Sequence, residues 1–306
     1  LITGGAGNVG GTLARRLIKN PDNFILIVDN LLTGSIIKLP DKKYKNWSFV
    51  KADVNNWEEI LPIMSRENLD YVFHYAAVVG VQRTLDNPMA VLKDIDGIKN
   101  ILNISNNIGV KRIFFSSSSE VYGEPVEIPQ NEISTPLNAK LPYAIVKSVS
   151  EAYCHSYQQV YGLNYTIFRL FNTYGPLQSK DFVVTKFILS AMEDKTIEIY
   201  GNGSQTRTFC FVEDNIDATL ASLNGDYWIN EVVNIGNDNE ITILSLAETI
   251  IEVLNSKSKI KFINPLLQGD MSRRRPDISK MREVIDKELI TLKKGIRLTH
   301  KHFIKC

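Results

Sequence analysis

The sequence predicts an α/β fold in which a doubly wound parallel sheet of the Rossmann type carries a smaller C-terminal lobe. Short β-branched runs alternate with longer amphipathic segments through the first half of the chain. A glycine-rich turn follows the first apolar run, and the alternation becomes irregular after Pro176. Strand, helix and strand in repeated order favour parallel strands joined by right-handed crossovers, and runs such as FILIV predict strands buried on both faces.

The elements of the first half follow from the hydrophobic periodicity. β-Branched and aromatic runs predict strands at 1–3, 24–29, 47–53, 71–76, 112–117 and 165–170. The amphipathic segments between them predict helices at 8–19, 57–67, 88–107 and 142–161. The chain begins inside an apolar run without an initiator Met, so we expect a few residues of the first strand to precede Leu1.

The second half predicts two interleaved units. Helices at 181–193 and 244–255 and short strands near 197–200, 209–211 and 232–235 follow one another less regularly. We predict a nucleotide-binding Rossmann domain made of 1–176 and 231–257. Residues 177–230 and 258–306 are predicted to form a substrate-binding lobe at the carboxyl end of the sheet, where open α/β sheets hold ligands.

Composition excludes several classes of partner. The chain has 306 residues, 44% hydrophobic and 23% charged, with a formal net charge of +1. A net charge near zero gives no indication of a polyanionic partner, so we expect no nucleic acid to bind. No run approaches the ~18 apolar residues of a membrane span, so we expect no membrane partner either. Cys154, Cys210 and Cys306 lack metal-ligand spacing and form no disulfide framework. This favours a reducing, cytoplasmic location and no metal site.

The turn after the first strand predicts a dinucleotide site. Gly4, Gly7 and Gly10 are spaced G-x-x-G-x-x-G between a strand and a helix. Such glycines allow a tight turn and a close approach of the backbone to a pyrophosphate, which then faces the amides of the helix N-terminus. About 20 residues further on, the second strand ends in Asp29 and Asn30. A carboxylate there accepts from both ribose hydroxyls and repels a 2′-phosphate, so the sequence predicts NAD and not NADP.

Motifs along the whole chain resemble one family. FFSSSSEVYGEP (114–125), PYAIVK (142–147) and RLFNTYGP (169–176) are similar to those of the extended short-chain dehydrogenase/reductases, the NAD-dependent epimerase/dehydratase enzymes that act on nucleotide sugars. The segments DNLLTG, YAAVVGVQRTLDNP, YGNGSQTRTFCFVEDN and GDMSRRRPDISK have counterparts in the same order. We expect the cofactor site to include Gly4, Gly7, Asn8, Val9, Asp29, Asn30, Gly34, Asp53, Val54, Ala76, Ala77, Ser116, Tyr143 and Lys147.

The resemblance implies a catalytic role for Ser118, Tyr143 and Lys147, which match the family's Ser/Thr and Tyr-x-x-x-Lys. Oxidation of a sugar C4 alcohol requires loss of a hydride to nicotinamide and of a proton from oxygen. A phenol with a pKa of about 10 is a poor base, and an ammonium one helical turn away favours the phenolate. The serine hydroxyl can steady the same substrate oxygen as charge develops.

Ser119 and Glu120 bear on the branch of the family. Dehydratases of the family carry Asp-Glu at this place, and a serine is a weak proton donor to a leaving hydroxyl, so dehydration is disfavoured. UDP-glucuronate decarboxylases share Ser-Glu, the loop at 78–88 looks like that of 4-epimerases, and the combination resembles a bacterial GDP-heptose 4-dehydrogenase of surface-polysaccharide synthesis. We therefore predict C4 oxidation of a nucleotide-diphosphate sugar, with epimerase and decarboxylase as alternatives. The resemblance implies a catalytic role for Glu120 and a substrate-binding role for Ser119; the alternative for Glu120 is a structural carboxylate that caps local amides.

The resemblance also implies a substrate end and a partner. Asn172, Arg207 and Arg274 match residues that bind the substrate diphosphate in the family, and guanidinium groups suit phosphate oxygens. Asp94 departs from the pattern, because the family has Asn there and an aspartate cannot donate as an amide does. We expect a homodimer formed through the helices at 88–107 and 142–161. A non-catalytic NAD-binding sensor of the same fold is disfavoured, since such proteins typically lose the tyrosine or the lysine.

Overall fold

The computed structural model describes residues 1–265 and 271–305, without the side chains of Val81, Gln82 and Lys305. Cys306 and the Gly-Asp that opens GDMSRRRPDISK lie outside the described residues. The strands are β1 (Ile2–Thr3), β2 (Ile25–Asp29), β3 (Trp47–Lys51), β4 (Tyr71–His74), β5 (Arg112–Ser118), β6 (Asn164–Leu170), β7 (Thr173–Tyr174), β8 (Ile197–Tyr200), β9 (Thr206–Thr208), β10 (Cys210–Phe211), β11 (Glu231–Ile235), β12 (Glu240–Thr242) and β13 (Ile260–Ile263).

The α-helices are α1 (Asn8–Leu17), α2 (Trp57–Ser65), α3 (Val81–Asp86), α4 (Pro88–Leu92), α5 (Asp94–Asn107), α6 (Pro142–Tyr161), α7 (Val183–Met192), α8 (Val212–Asn224), α9 (Ile243–Leu254), α10 (Ser279–Arg282) and α11 (Leu292–Lys305). Single 3₁₀ turns lie at Ile36–Lys38 and Ser119–Tyr122. None of the described helices is long and apolar enough to span a bilayer.

Seven strands form one parallel sheet in the order β11-β6-β5-β4-β1-β2-β3. The order reverses next to β1, between β4 and β2, and this is the place where doubly wound sheets open a crevice at the carboxyl ends of their strands. The predicted doubly wound fold is confirmed. The smaller elements pair separately, as β10 with β7, β12 with β9 and β13 with β8.

Strands buried on both faces divide the core in two. Phe114 of β5 belongs to a cluster on the face covered by α1, α7 and α8, while its neighbours Ile113 and Phe115 belong to a cluster on the opposite face with α2 and α5. Successive side chains of a strand point to opposite faces, so an uninterrupted apolar run serves both layers. The helix predicted at 88–107 is divided into α4 and α5, and the helices α3, α8, α10 and α11 were not predicted.

A buried ion pair joins the helix of PYAIVK to the sheet. Glu151 of α6 accepts from Arg169 of β6 through both carboxylate oxygens, at 3.0 and 2.7 Å, and the two side chains are 4% and 5% exposed. Arg169 also donates to the hydroxyl of Tyr122 at 2.9 Å, and Ser117 of β5 donates to the same carboxylate with a short contact. The network therefore holds α6 against β5 and β6, one helical turn beyond Lys147.

We predict that Glu151→Gln lowers the free energy of unfolding by about 3 kcal/mol, because it leaves the Arg169 guanidinium buried and uncompensated. Urea denaturation measures the change. Asp70→Asn, which removes the partner of the exposed Lys111, is the matched control and should leave the midpoint almost unchanged. Equal effects of the two substitutions would contradict a structural role for the buried pair.

Candidate active site

The glycine turn is built to approach another backbone closely. Gly4 has φ +68°, and a Cβ there would lie 2.7 Å from the backbone of Tyr75 and Ala76 at the end of β4. A Cβ on Gly10 would lie 2.5 Å from the carbonyl oxygen of Gly4. No side chain caps α1 at Gly7, and the buried Oδ1 of Asn8 has no hydrogen-bond partner among the described residues. Free helix amides in a cradle without side chains fit the pyrophosphate of a dinucleotide.

The end of β2 holds the carboxylate expected beside the adenosine ribose. Asp29 is 8% exposed, and its two oxygens accept from the amides of Ala6 at 3.0 Å and Leu31 at 2.8 Å. A Cβ on Gly34 would lie 2.6 Å from Asp29 Oδ1, so only glycine leaves room for the carboxylate in this position. The carboxylate is thus held in one orientation at the adenosine end of the site.

One cleft of about 500 Å³ brings most of the predicted residues together. It is lined by Gly4, Gly7, Asn8, Val9, Asp29, Asn30, Asp53, Val54, Ala76, Ala77, Ser116, Ser118, Ser119, Glu120, Tyr143, Lys147, Asn172 and Arg274. Gly34 lies behind Asp29 and Arg207 lies in β9, and neither is among the described residues that line the cleft. The sequence analysis missed other lining residues, among them Lys38, Arg83, Gln178, Ser179 and Phe182.

Those missed residues come from segments whose sequences carry little chemical signal. Lys38 lies nine residues after Asp29 at the acidic end of β2, a position that could have marked it as a neighbour of the ribose. Arg83 lies in α3 and Ser179 in the segment before α7, and Arg83 forms a short ion pair with Asp181. Such a contact between distant segments appears only once the chain is folded.

Ser118, Tyr143 and Lys147 converge at the ends of β5 and α6. Ser118 lies close enough to the phenol of Tyr143 to lower its pKa, and its Oγ accepts from the amide of Glu120 at 3.2 Å. Lys147 is buried, donates to the carbonyl oxygen of Ser116 at 2.7 Å, and has its Nζ 5.7 Å from the centroid of the Tyr143 ring. Tyr143 and Lys147, one turn apart in α6, therefore both face the cleft and are not exposed neighbours on the helix surface.

Burial works against the charged forms of both groups. The pKa of Tyr143 is raised, first by burial and then by the nearby Glu120 carboxylate, against the lowering effects of Ser118 and Arg274. Burial lowers the pKa of Lys147 to about 8, although the carboxylates of Asp94 and Glu151 oppose the shift. In the protein alone the phenol is therefore neutral, and it needs added positive charge nearby to become a base.

The contacts of Asp94 account for an aspartate at the position where the family has an asparagine. Its Oδ2 accepts from the amide of Val78 at 2.8 Å, and its Oδ1 accepts from the side-chain amide of Asn55 at 3.2 Å. Both contacts need an acceptor, so the network around this position is arranged for a carboxylate. Val78 packs in turn against Val146 and Tyr143, which connects Asp94 to the catalytic helix.

Arg274 joins the C-terminal part of the chain to the 3₁₀ turn that follows β5. One Nη donates to Glu120 Oε1 at 3.0 Å and to the sulfur of Met271 at 3.0 Å, and the other donates to Ser119 Oγ at 3.3 Å. The arginine and glutamate side chains are 6% and 17% exposed. Glu120 thus has a guanidinium as its side-chain partner, and its carboxylate caps no backbone amide among the residues that the structure describes. The predicted role of Arg274 in diphosphate binding stays a prediction.

Asn172 and Arg207 are held near the small sheets β10-β7 and β12-β9. The side-chain amide of Asn172 donates to the carbonyl oxygen of Thr208 at 2.9 Å, and its backbone has φ +32°. Arg207 is 8% exposed and donates to the carbonyl oxygen of Thr206 at 2.7 Å. Asn172 lines the cleft, whereas Arg207 is not among the described residues that line it. The predicted role of Arg207 in binding phosphate stays a prediction. No group of three or more metal-ligating side chains occurs within residues 1–265 and 271–305.

The burial of Lys147 predicts a pH-dependent stability. With a folded pKa of about 8 and an ordinary value of 10.5, the unfolded chain binds this proton more tightly. The contribution of Lys147 therefore reduces the free energy of unfolding below pH 8, and about 3 kcal/mol is recovered as pH rises to about 10.5.

Urea denaturation of nucleotide-free wild-type protein and of Lys147→Met between pH 7 and pH 10 measures this term as a difference. His74 and Tyr143 do not interfere, because burial lowers the pKa of His74 to about 3 and keeps that of Tyr143 above its ordinary range. A difference that stays constant with pH would show that the Lys147 ammonium is not desolvated.

Known proteins are similar in sequence to nearly the whole chain. The profile described as "NAD dependent epimerase/dehydratase family" matches residues 1–236. UDP-glucuronic acid decarboxylase 5 of Arabidopsis thaliana is 33% identical over 99% of this chain and 88% of that protein. A putative UDP-glucose 4-epimerase of Methanocaldococcus jannaschii is 33% identical over 97% of this chain and 95% of that protein.

Solved structures show the same likeness. UDP-glucose 4-epimerase from Thermotoga maritima, crystallised with UDP-glucose, has a TM-score of 0.93 and 30% identity, covering 99% of this chain and 98% of that one. A UDP-glucuronic acid 4-epimerase variant from Bacillus cereus, crystallised with NAD, has a TM-score of 0.90 and 25% identity, covering 99% and 98%. The chain therefore belongs to the NAD dependent epimerase/dehydratase family and is an NAD-dependent enzyme of nucleotide-sugar chemistry.

Proposed function

We propose that this enzyme oxidises the C4 hydroxyl of a nucleotide-diphosphate sugar, as a 4-dehydrogenase that acts on a GDP-manno-heptose in bacterial surface-polysaccharide synthesis. The observation that carries the oxidation is the placement of Ser118, Tyr143 and Lys147 in the same cleft as the glycine turn. The heptose and its base are supported only by the resemblance of SSSSEVYGEP and VGVQRTLDNP to a GDP-heptose 4-dehydrogenase.

Bound NAD supplies the two-electron acceptor for the hydrogen on C4. The residues of the chain supply the proton chemistry: Tyr143 takes the hydroxyl proton, and Ser118 hydrogen-bonds the oxygen from which it leaves. Lys147 keeps a positive charge beside the phenol, which favours the phenolate. Because burial keeps Tyr143 neutral on its own, the tyrosine acts as a base only when positive charge and substrate are both in place.

The pair of Glu120 and Arg274 supports oxidation without elimination. A 4,6-dehydration requires an acid beside the leaving hydroxyl, and the chain has Ser119 there, whose Oγ accepts from Arg274. Glu120 is neutralised by the same guanidinium. A serine bound in this way protonates a leaving group poorly, so the reaction stops at the 4-keto sugar or returns hydride to it.

Two alternatives have specific support. The similarity to epimerases from Thermotoga maritima and Methanocaldococcus jannaschii favours return of hydride to the opposite face of C4, with the cofactor regenerated in each turnover. The similarity to plant UDP-glucuronic acid decarboxylases favours loss of carbon dioxide after C4 oxidation. A buried arginine at the sugar end suits a substrate carboxylate, although the Arg274 charge is already partnered by Glu120.

We also propose a homodimer formed through α4 and α6. Met89, Leu92 and Ile145 are 68%, 37% and 40% exposed on these two neighbouring helices, and Val160 and Tyr161 near the end of α6 are 67% and 60% exposed. Exposed apolar side chains on packed helices favour association with a second copy. The buried free thiols of Cys154 and Cys210 support a reducing, cytoplasmic location for the same protein.

One experiment separates the three reactions. Purified enzyme is denatured to identify released nucleotides, and native enzyme is incubated with GDP-heptose, UDP-glucose and UDP-glucuronate while reduced-nicotinamide absorbance and product NMR are followed. Lasting reduced cofactor with a 4-keto product from GDP-heptose is the expected result. Inversion at C4 without net reduction would replace the proposal with the epimerase, and carbon dioxide release would replace it with the decarboxylase.

Tyr143→Phe is expected to lower the rate of cofactor reduction by substrate by about a thousandfold or more, because it removes the proton acceptor. Binding of NADH, followed by fluorescence, should remain within about twofold of wild type. Tyr157→Phe, on the same helix but outside the cleft-lining residues that the structure describes, is the control and should keep full activity. Unchanged turnover in Tyr143→Phe would remove this residue from the mechanism.

A further inference from the structure

Lys38 is a cation at the adenosine end of the cleft that the sequence analysis did not use. It closes the 3₁₀ turn Ile36–Lys38 and lines the same cleft as Asp29 and Asn30. The side chain is half-buried, and burial lowers the pKa of Lys38 while the Asp29 carboxylate opposes that shift. No ion pair or side-chain hydrogen bond joins Lys38 to another residue in the described part of the chain.

The backbone of Lys38 is held in place from several sides. A Cβ on Gly11 of α1 would lie 3.1 Å from the carbonyl oxygen of Lys38, so the turn packs directly on the helix that begins at the glycine turn. Arg15 of α1 donates to the carbonyl oxygens of Ile37 at 3.1 Å and Leu39 at 3.4 Å, on either side of Lys38. The amide of Lys38 donates to Ser35 at 3.0 Å. The ammonium therefore extends from a fixed backbone.

Asp29 and Lys38 present opposite charges to the same end of a dinucleotide. Both carboxylate oxygens of Asp29 already accept a backbone amide, which fixes the carboxylate and weakens the field that it projects into the cleft. Carboxylates in this position suit the ribose hydroxyls of NAD, whereas a basic residue nearby accommodates the 2′-phosphate of NADP. A desolvated ammonium without a partner gains most from an added phosphate.

We propose that Lys38 allows the adenosine end of this site to accept a 2′-phosphate as well as a 2′-hydroxyl, so that NADP binds where NAD binds, more weakly but measurably. Asp29 still favours NAD, because its charge repels the phosphate. Lys38 offsets part of that repulsion and sets the ratio of the two affinities. The inference concerns the nucleotide site only and does not depend on which sugar the enzyme oxidises.

Binding of NADH and of NADPH to protein freed of retained nucleotide tests the proposal, with nucleotide fluorescence and calorimetry as readouts and no sugar present. Wild-type protein is compared with Lys38→Met, with Lys38→Arg, and with Lys43→Met as the matched control. Lys43 lies on the same loop, is 67% exposed and pairs with Asp41. Bound NADH shows that each variant is folded.

We expect Lys38→Met to weaken NADPH binding by about tenfold or more while NADH binding changes by less than about threefold, since an ammonium near a phosphate in a partly buried site is worth at least that much. Lys38→Arg should keep most of the NADPH affinity, and Lys43→Met should resemble wild type. Added salt should weaken NADPH binding more steeply in wild type than in Lys38→Met.

The proposal is overturned if wild-type protein binds NADH but no NADPH at millimolar concentration, or if Lys38→Met weakens both nucleotides equally. Equal loss of NADPH affinity in Lys43→Met would assign the effect to the general charge of the loop and would also overturn it. Failure of every sugar in the turnover assay, with these affinities as expected, would remove the proposed reaction and leave the role of Lys38 standing.

Discussion

The site depends on one energetically unfavourable feature, the burial of the charged Lys147 ammonium at the end of β5. The ammonium donates a hydrogen bond to the carbonyl oxygen of Ser116 at 2.7 Å, and its Nζ lies 4.8 Å from the centroid of the Phe115 ring. Desolvation lowers its pKa, so the charge that helps Tyr143 is held at a cost in stability. The surrounding structure offsets part of that cost, because the buried pair of Glu151 and Arg169 docks α6 on the sheet and places the Glu151 carboxylate near Lys147.

The cleft is assembled from both ends of the chain. Arg274 reaches Glu120 across 154 residues of sequence, and the segment that carries Arg274 is anchored by a bridge between Gln130 and Pro276. The same anchoring region contacts Asn234, whose side-chain amide donates to the carbonyl oxygens of Gln130 and Asp277. The Asn234 side chain of β11 thus joins the segment that carries Arg274 to the sheet, so Arg274 meets the end of β5 in a defined geometry.

Much of the fold could be read from periodicity, since strands buried on both faces and amphipathic helices leave strong patterns. The limits of prediction are physical. The segment predicted as one helix at 88–107 forms two helices that meet at Lys93, one beginning at Pro88 and the other at Asp94. Hydrophobic spacing does not register this division. The helix Val212–Asn224 begins directly after a two-residue strand, and the pattern of that strand conceals its start. The glycine turn and Asp29 could be placed in the cleft from sequence because glycine spacing and a carboxylate at a strand end obey local rules.

By itself the sequence determined the chemical types and their local spacing: a glycine turn between strand and helix, Asp29 at a strand end, and a phenol and an amine one turn apart. These follow from contacts between near neighbours. Only the tertiary structure decided the environment of each group. Folding buried Lys147 and Tyr143 together and gave Glu120 a guanidinium partner. It also supplied Asp94 with two hydrogen-bond donors and placed Lys38 near the carboxylate of Asp29. Charge, desolvation and hydrogen bonding depend on distances between segments far apart in the chain, and such distances exist only after folding.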